Sequence, residues 1–204
     1  MQRIKNIIFD LGGVLLDIDF TKTFEAFKAL GVSNIEEMYG QHHANKIFKD
    51  FEKGKISEAD FRDGLRRYIP GVVSDDQIDD AWNSLIQDFR VESLLALNKL
   101  AENYRLYLFS NTSSIHLRCF SMKYPHGTGK SSLEAHFSKA WYSHHIGMRK
   151  PDRESYEFVL EDAGIDPKET FFIDDTSENI DAAIKMGIRS RLLLKGERIE
   201  ELIF

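Results

Sequence analysis

Apolar residues gather in five short runs, at 5–10, 105–110, 139–143, 170–174 and 189–194, and each predicts a buried strand. Several are continuous rather than alternating, as expected when helices cover both faces of a sheet. Helical spacing fills the later gaps. "VESLLALNKLAENY" repeats Leu94, Leu95, Leu97 and Leu100. "RESYEFVLEDAG" and "SENIDAAIKMG" stop at Gly164 and Gly187, each suited to the residue after a helix end. Strands alternating with helices predict an α/β fold, a doubly wound, Rossmann-like parallel five-stranded sheet.

The first two strands are too far apart for a simple crossover. The connection is rich in helical signals: "DFTKTFEAFKAL" before Gly31, "NIEEMY", "ANKIFKDFEKG", "SEADFRDGLRRY" and "DDQIDDAWNSLIQDF". "SEAD" before Phe61 reads as an N-terminal capping sequence. We therefore expect a small helical cap domain at 17–89, inserted after the first strand of a core formed by 1–16 and 90–204. Its aromatic and aliphatic stripes are expected to be its own core.

The 204 residues suit one domain with such an insert, and 42% hydrophobic residues suffice for a core. No apolar run is long enough for a membrane span, and the N-terminus lacks the zones of a signal peptide. Cys119 is the only cysteine, which excludes an internal disulfide and a thiolate metal cluster. His144 and His145 lack a matching ligand pattern for zinc. A cytoplasmic monomer or homodimer is expected. The net charge is −6, and the 27 basic residues form no stripe, so nucleic-acid binding is disfavoured. "GTGKSS" suggests a phosphate loop, but Tyr124 stands where the Walker spacing needs glycine, and 124–137 reads as a polar surface loop.

In an open parallel sheet, ligands sit beyond the carboxyl ends of the strands. Asp10 ends the first predicted strand, Ser110 and Asn111 the second; Lys150 follows the third, and Asp174 and Asp175 end the fourth. Each alone is an ordinary turn or cap residue. Together they suit phosphoryl transfer: a carboxylate nucleophile, carboxylates for a magnesium ion, a hydroxyl for phosphate oxygens and a lysine for charge.

These residues carry a resemblance. "FDLGGVLLD", "LFSNT", "GMRKPDRESY" and "FFIDDTSENIDAA" resemble, in order, the four motifs of haloacid dehalogenase (HAD) superfamily hydrolases with a C1 helical cap. Within that superfamily they are most similar to the bacterial α-D-glucose-1-phosphate phosphatase group. The resemblance implies a Mg²⁺-dependent phosphatase of a small phosphorylated metabolite, such as the sugar phosphate glucose 1-phosphate, acting through an aspartyl-phosphate. It implies Asp10 as nucleophile, Lys150 as a catalytic and phosphate-binding cation, and Ser110 and Asn111 as phosphate-binding. The metal would be held by Asp10, the Gly12 carbonyl and Asp175, with Asp174 acting through a water.

Gly12 departs from the family pattern, where an aspartate protonates the leaving alcohol and activates water. Asp17 or Asp19 could substitute, or form a solvated hinge. Asn179, one helical turn beyond Asp175, could orient that carboxylate or face solvent. His42, His43 and Lys46 could touch a polar substrate or lie on a hydrated helix face. Two other activities remain open: a metal-free 2-haloacid dehalogenase, and a binding or regulatory protein with a weakened site.

Overall fold

A computed structural model describes residues 3–202. In chain order, the elements are β1 (Asn6–Phe9), β2 (Leu16–Ile18), α1 (Phe20–Ala29), α2 (Ile35–Met38), α3 (Lys46–Glu52), α4 (Glu58–Arg66), α5 (Asp75–Asn83), β3 (Ile86–Phe89) and α6 (Val91–Leu100). They continue with β4 (Arg105–Ser110), α7 (Ser114–Met122), β5 (Lys139–Tyr142), α8 (Ser143–Ile146), α9 (Arg153–Ala163), β6 (Thr170–Asp174), α10 (Ser177–Lys185) and β7 (Arg189–Leu192).

Five strands form a parallel sheet in the order β5-β4-β1-β6-β7. Their side chains alternate between two cores. Ile7, Phe9, Leu106, Leu108 and Ile173 point to one face, and Ile8, Tyr107, Phe109 and Phe172 to the other. Both faces are covered, which is why these strands read as continuous apolar runs. β1 lies at the centre, bonded to β4 and β6, so Asp10 and Asp174 emerge side by side.

The insert has a third core, which includes Tyr39, Phe48, Phe51, Phe61 and Trp82. Two of its helices begin with full capping boxes, Ser57 with Asp60 and Ser74 with Gln77. The connection is not helical throughout, as its sequence suggested. Its ends form an antiparallel ribbon, β2 with β3, that joins insert to sheet. Ile86 and Phe89 are buried in the sheet's core rather than on a helix face. The partner that makes them a strand lies some seventy residues earlier in the sequence, out of reach of local periodicity. Helix α7 carries no strong helical stripe but fills the gap between β4 and β5, and its Ile115 packs into the insert's core. Residues 124–137 are largely irregular, as expected, but not merely superficial: Thr128 is fully buried, and the Tyr124 hydroxyl bonds to Thr128 and His136.

Candidate active site

The site starts where β1 stops. The Asp10 N–H donates to the Ile173 carbonyl at 2.9 Å, continuing the β1–β6 ladder by one bond. The chain then turns tightly: the Leu11 carbonyl accepts from Leu15 and Leu16, and Gly13 N–H donates to the Leu16 carbonyl. Gly13 has φ +70°, and a Cβ there would lie 2.1 Å from Asp175 Oδ2. Only glycine takes this backbone and lets that carboxylate approach. Arg90 clamps the turn from the end of the ribbon, donating to Asp17 at 2.7 Å and to the carbonyls of Gly13 and Val14.

The sheet's carboxyl edge brings most of the expected residues together. Lys150 is 1% exposed, and its ammonium donates to Asp10 Oδ1 and Asp174 Oδ2, both at 2.6 Å. Asp10, Asp174 and Asp175 each offer an oxygen within 4.8 Å of the others. Ser110, at the end of β4, is buried and lines the same cavity; its hydroxyl is uncommitted among the described residues. That cavity has a volume of about 410 Å³ and is also lined by Gly12, Gln41, His42, His43, Glu52 and Arg149.

Burial pushes the Asp10 carboxyl up; Lys150 pulls it down, but Asp174 and Asp175 add to the rise. Burial, with Asp174 beside it, raises Asp175 to about 6. Burial alone would lower Lys150, but Asp10 and Asp174 outweigh it and raise the ammonium. Three carboxylates thus cluster about one ammonium beside this cavity. A donor set made only of oxygens, short of positive charge, fits a hard divalent cation such as Mg²⁺.

Several side chains sit differently from expectation. Asn111 does not point its amide at a phosphate position. It holds the Lys150 backbone at both ends, accepting from Lys150 N–H and donating to Lys150 O, each at 2.9 Å. Asn179 orients Asp174 rather than Asp175, donating at 2.9 and 3.1 Å. Thr176 N–H also donates to Asp174, which is fully buried. Asp17 is tied to Arg90, and Asp19 caps α1 by accepting from Thr21, so neither is poised as an acid. Lys46 pairs with Asp50 away from the cavity, whereas His42 and His43 line it.

Sequence reasoning missed Gln41, Glu52 and Arg149, and did not foresee the partner of His42. Gln41 donates to Asp175 Oδ2 at 3.0 Å from the insert, His42 meets Glu178, and Glu52 lies 2.9 Å from Arg149 across the cavity wall. Their contacts depend on how the insert sits on the sheet, which no local pattern encodes. The alternating charges of "FEKGK" and "MRKPD" were the one available hint.

Comparison with known proteins agrees with this geometry. Residues 4–187 match the family model described as haloacid dehalogenase-like hydrolase. D-ribitol-5-phosphate phosphatase from Bacteroides thetaiotaomicron is 31% identical over 92% of this chain and 90% of its own length. A HAD family enzyme from the same organism, crystallised as an alanine variant with magnesium and inorganic phosphate, is 44% identical and covers 96% of both chains at a TM-score of 0.90. The L-2-haloacid dehalogenase of Xanthobacter autotrophicus, at 17% identity and a TM-score of 0.59 over 93% of this chain and 77% of its own, shares the fold alone. With an α/β core, four motifs converging on one pocket and a family match along nearly the whole length, the chain belongs to the haloacid dehalogenase-like hydrolases.

Proposed function

We propose that the protein is a Mg²⁺-dependent phosphatase of small phosphorylated metabolites, with sugar and polyol phosphates as the substrate class. The observation that carries this reading is the Lys150 ammonium held between Asp10 and Asp174 on a cavity of about 410 Å³. The ribitol-phosphate phosphatase relative and the magnesium–phosphate complex of the 44%-identical enzyme support it. We take 17–89 as a cap domain over a core of 1–16 and 90–204. A cavity of about 410 Å³ lined by both cap and core suits a small ester.

Asp10 is the nucleophile. Its carboxylate attacks phosphorus, the bond to the ester oxygen breaks, and an aspartyl-phosphate forms; water then releases inorganic phosphate and restores Asp10. Lys150 offsets charge on Asp10 and on the transferred phosphoryl group. The Ser110 hydroxyl donates to a phosphoryl oxygen, and Asn111 keeps Lys150 in register. Asp10, Asp175 and the Gly12 carbonyl would hold the metal, with Asp174 behind them through a water. Bound there, Mg²⁺ would supply positive charge for the phosphoryl oxygens, in the manner usual for this chemistry. Gly12 brings no acid to the leaving oxygen, so esters whose alcohols leave easily are favoured; an anomeric sugar phosphate such as glucose 1-phosphate is one.

Phosphate release from a panel of sugar and polyol phosphates, with and without Mg²⁺, tests the reading. Activity should need the metal, and Asp10→Asn should lower turnover by at least about 10³-fold. Undiminished phosphatase activity in that variant would remove Asp10 as nucleophile. Chelator-insensitive halide release from a 2-haloacid would replace the reading altogether. Gly12→Asp sharpens it. The new Cβ would meet only the Ile18 side chain, at 3.2 Å, which can yield. Turnover of a primary-alcohol phosphate should rise towards the roughly 10²-fold end of general-acid effects, while an anomeric phosphate gains little.

A further inference from the structure

Helix α3 ends in Glu52, and Lys53 follows, so two opposite charges stand in succession where the insert meets the core. Each faces its complement on the loop that carries Lys150. Arg149 Nε lies 2.9 Å from Glu52 Oε2, and Lys53 Nζ lies 2.5 Å from Asp152 Oδ2. The two core partners flank Lys150 and Pro151. Glu52 is 6% exposed and the Lys53 and Arg149 side chains are under a fifth exposed, so the Glu52–Arg149 pair is shielded from water, while Asp152, at 37%, opens the second pair to solvent on one side. Approach here is close as well as charged. Gly54 has φ +63°, and a Cβ on it would fall 2.3 Å from the His144 carbonyl oxygen. Glycine lets the end of α3 rest directly on α8.

Lys150 is therefore held from two directions. Asn111 grips its backbone from the core, and the insert grips the residues on either side of it. Its ammonium has to serve two carboxylates at 2.6 Å, a geometry sensitive to small displacements of the main chain. We propose that Glu52 and Lys53 are positioning residues for Lys150, acting through Arg149 and Asp152, so that the ammonium is correctly placed only while the insert is seated. The inference rests on the role given to Lys150 above. It makes assembly of the charged site conditional on closure, so an open molecule lacks both its cover and its aligned cation. Gln41 and His42 touch Asp175 and Glu178 on the opposite side of the cavity, so the seated insert meets the motif residues at both ends.

The test compares the unmodified protein, Lys53→Asp, and the charge swap Lys53→Asp with Asp152→Lys. Two quantities are read: Mg²⁺-dependent hydrolysis of p-nitrophenyl phosphate, and amide hydrogen exchange across 147–153. Lys53→Asp should lower kcat about tenfold with KM within threefold, as expected of a misplaced group, and should speed exchange at Lys150. The swap should return both to within threefold of the unmodified protein. Unchanged kcat and exchange in Lys53→Asp, with only a lowered melting temperature, would mean the couplet merely joins insert to core and would overturn the proposal. So would a swap that restores neither. If Lys53→Asp does not fold, Lys53→Ala removes the pair without adding repulsion and is read the same way. Should the unmodified protein release no phosphate, the phosphatase reading fails, and the exchange measurement alone decides the positioning role.

Discussion

The carboxyl edge of the sheet and the seam between α5 and α7 are both buried and polar, yet they are built on opposite logic. At the sheet edge three carboxylates crowd one lysine, and burial disfavours the charges. At the seam the polar groups of Trp82, Ser113 and His116 are matched to one another. Trp82 Nε1 donates to Ser113 Oγ at 3.1 Å, His116 Nε2 donates to the Trp82 carbonyl at 2.9 Å, and the two rings stack at 4.4 Å and 9°. The first arrangement gives up stability to hold charge where a phosphate and a cation would bind. The second supplies stability and fixes the insert to the core. Function and stability are thus carried by different regions, and each can be perturbed without the other.

The seam should give the largest stability effect. Trp82 is fully buried among Tyr39, Phe48, Phe61 and His116, so Trp82→Ala should cost about 3–5 kcal/mol in urea unfolding. A loss below about 1 kcal/mol would show that the seam is not the anchor.

Acid gives the next effect. Burial holds His116 down to about 4, below its ordinary 6.5, although the Trp82 carbonyl favours the proton. The unfolded chain therefore takes up this proton first. Stability rises with pH between about 4 and 6.5 and is lost on acidification across that window, by about 3 kcal/mol in all. His136 and His144, also held down to about 4 by burial, add slope of the same sign. His116→Gln should flatten the pH profile by the His116 share; an unchanged profile would assign the slope to the other two.

The sheet edge should show the opposite slope. Asp10 and Asp175 are raised, so in metal-free protein each favours the folded state at low pH and loses that advantage as pH rises through its folded value. Mg²⁺ should accordingly raise the melting temperature more at pH 7.5 than at pH 5, where protons compete for the same oxygens. Asp10→Asn should leave metal-free protein at pH 7.5 at least as stable as the unmodified chain while removing its turnover. A variant both inactive and markedly destabilised would break the separation drawn between the two regions.

How legible each region was in the sequence follows the same division. Three strand ends deliver Asp10, Ser110 and the Asp174–Asp175 pair, and strand ends are visible as apolar runs that stop at a polar residue, as "FFIDD" does. Position singled out these residues together with Lys150, which follows β5 by way of α8, and the family resemblance supplied their expected roles. The partners that set their geometry were harder. Asn111 and Asn179 were placed near the site but given the wrong contacts, because an amide's partner is chosen by tertiary packing. The seam was invisible: "DDAWNSLIQDF" reads as one helix, and nothing local says that it ends at Asn83 and pairs with residues 16–18. His116 carries no signal at all until its ring is seen on Trp82.

Glu58 provides the smallest effect and a control for the couplet at the end of α3. It too crosses from insert to core, accepting from Ser114 Oγ at 2.6 Å and from Arg118, with Arg62 alongside. Hydrogen bonds from Arg118 and Ser114 hold its carboxyl down to about 2, so its contribution is present at neutral pH and fades only in strong acid. The group is partly exposed and shares its arginine partners with solvent, so Glu58→Gln should cost less than about 1 kcal/mol. It touches α7, not the Lys150 loop, and kcat on p-nitrophenyl phosphate should stay within twofold of the unmodified protein. If Glu58→Gln lowered kcat as much as Lys53→Asp, any weakening of the insert's seating would suffice. Control of Lys150 would then belong to the whole interface rather than to the two charges beside it.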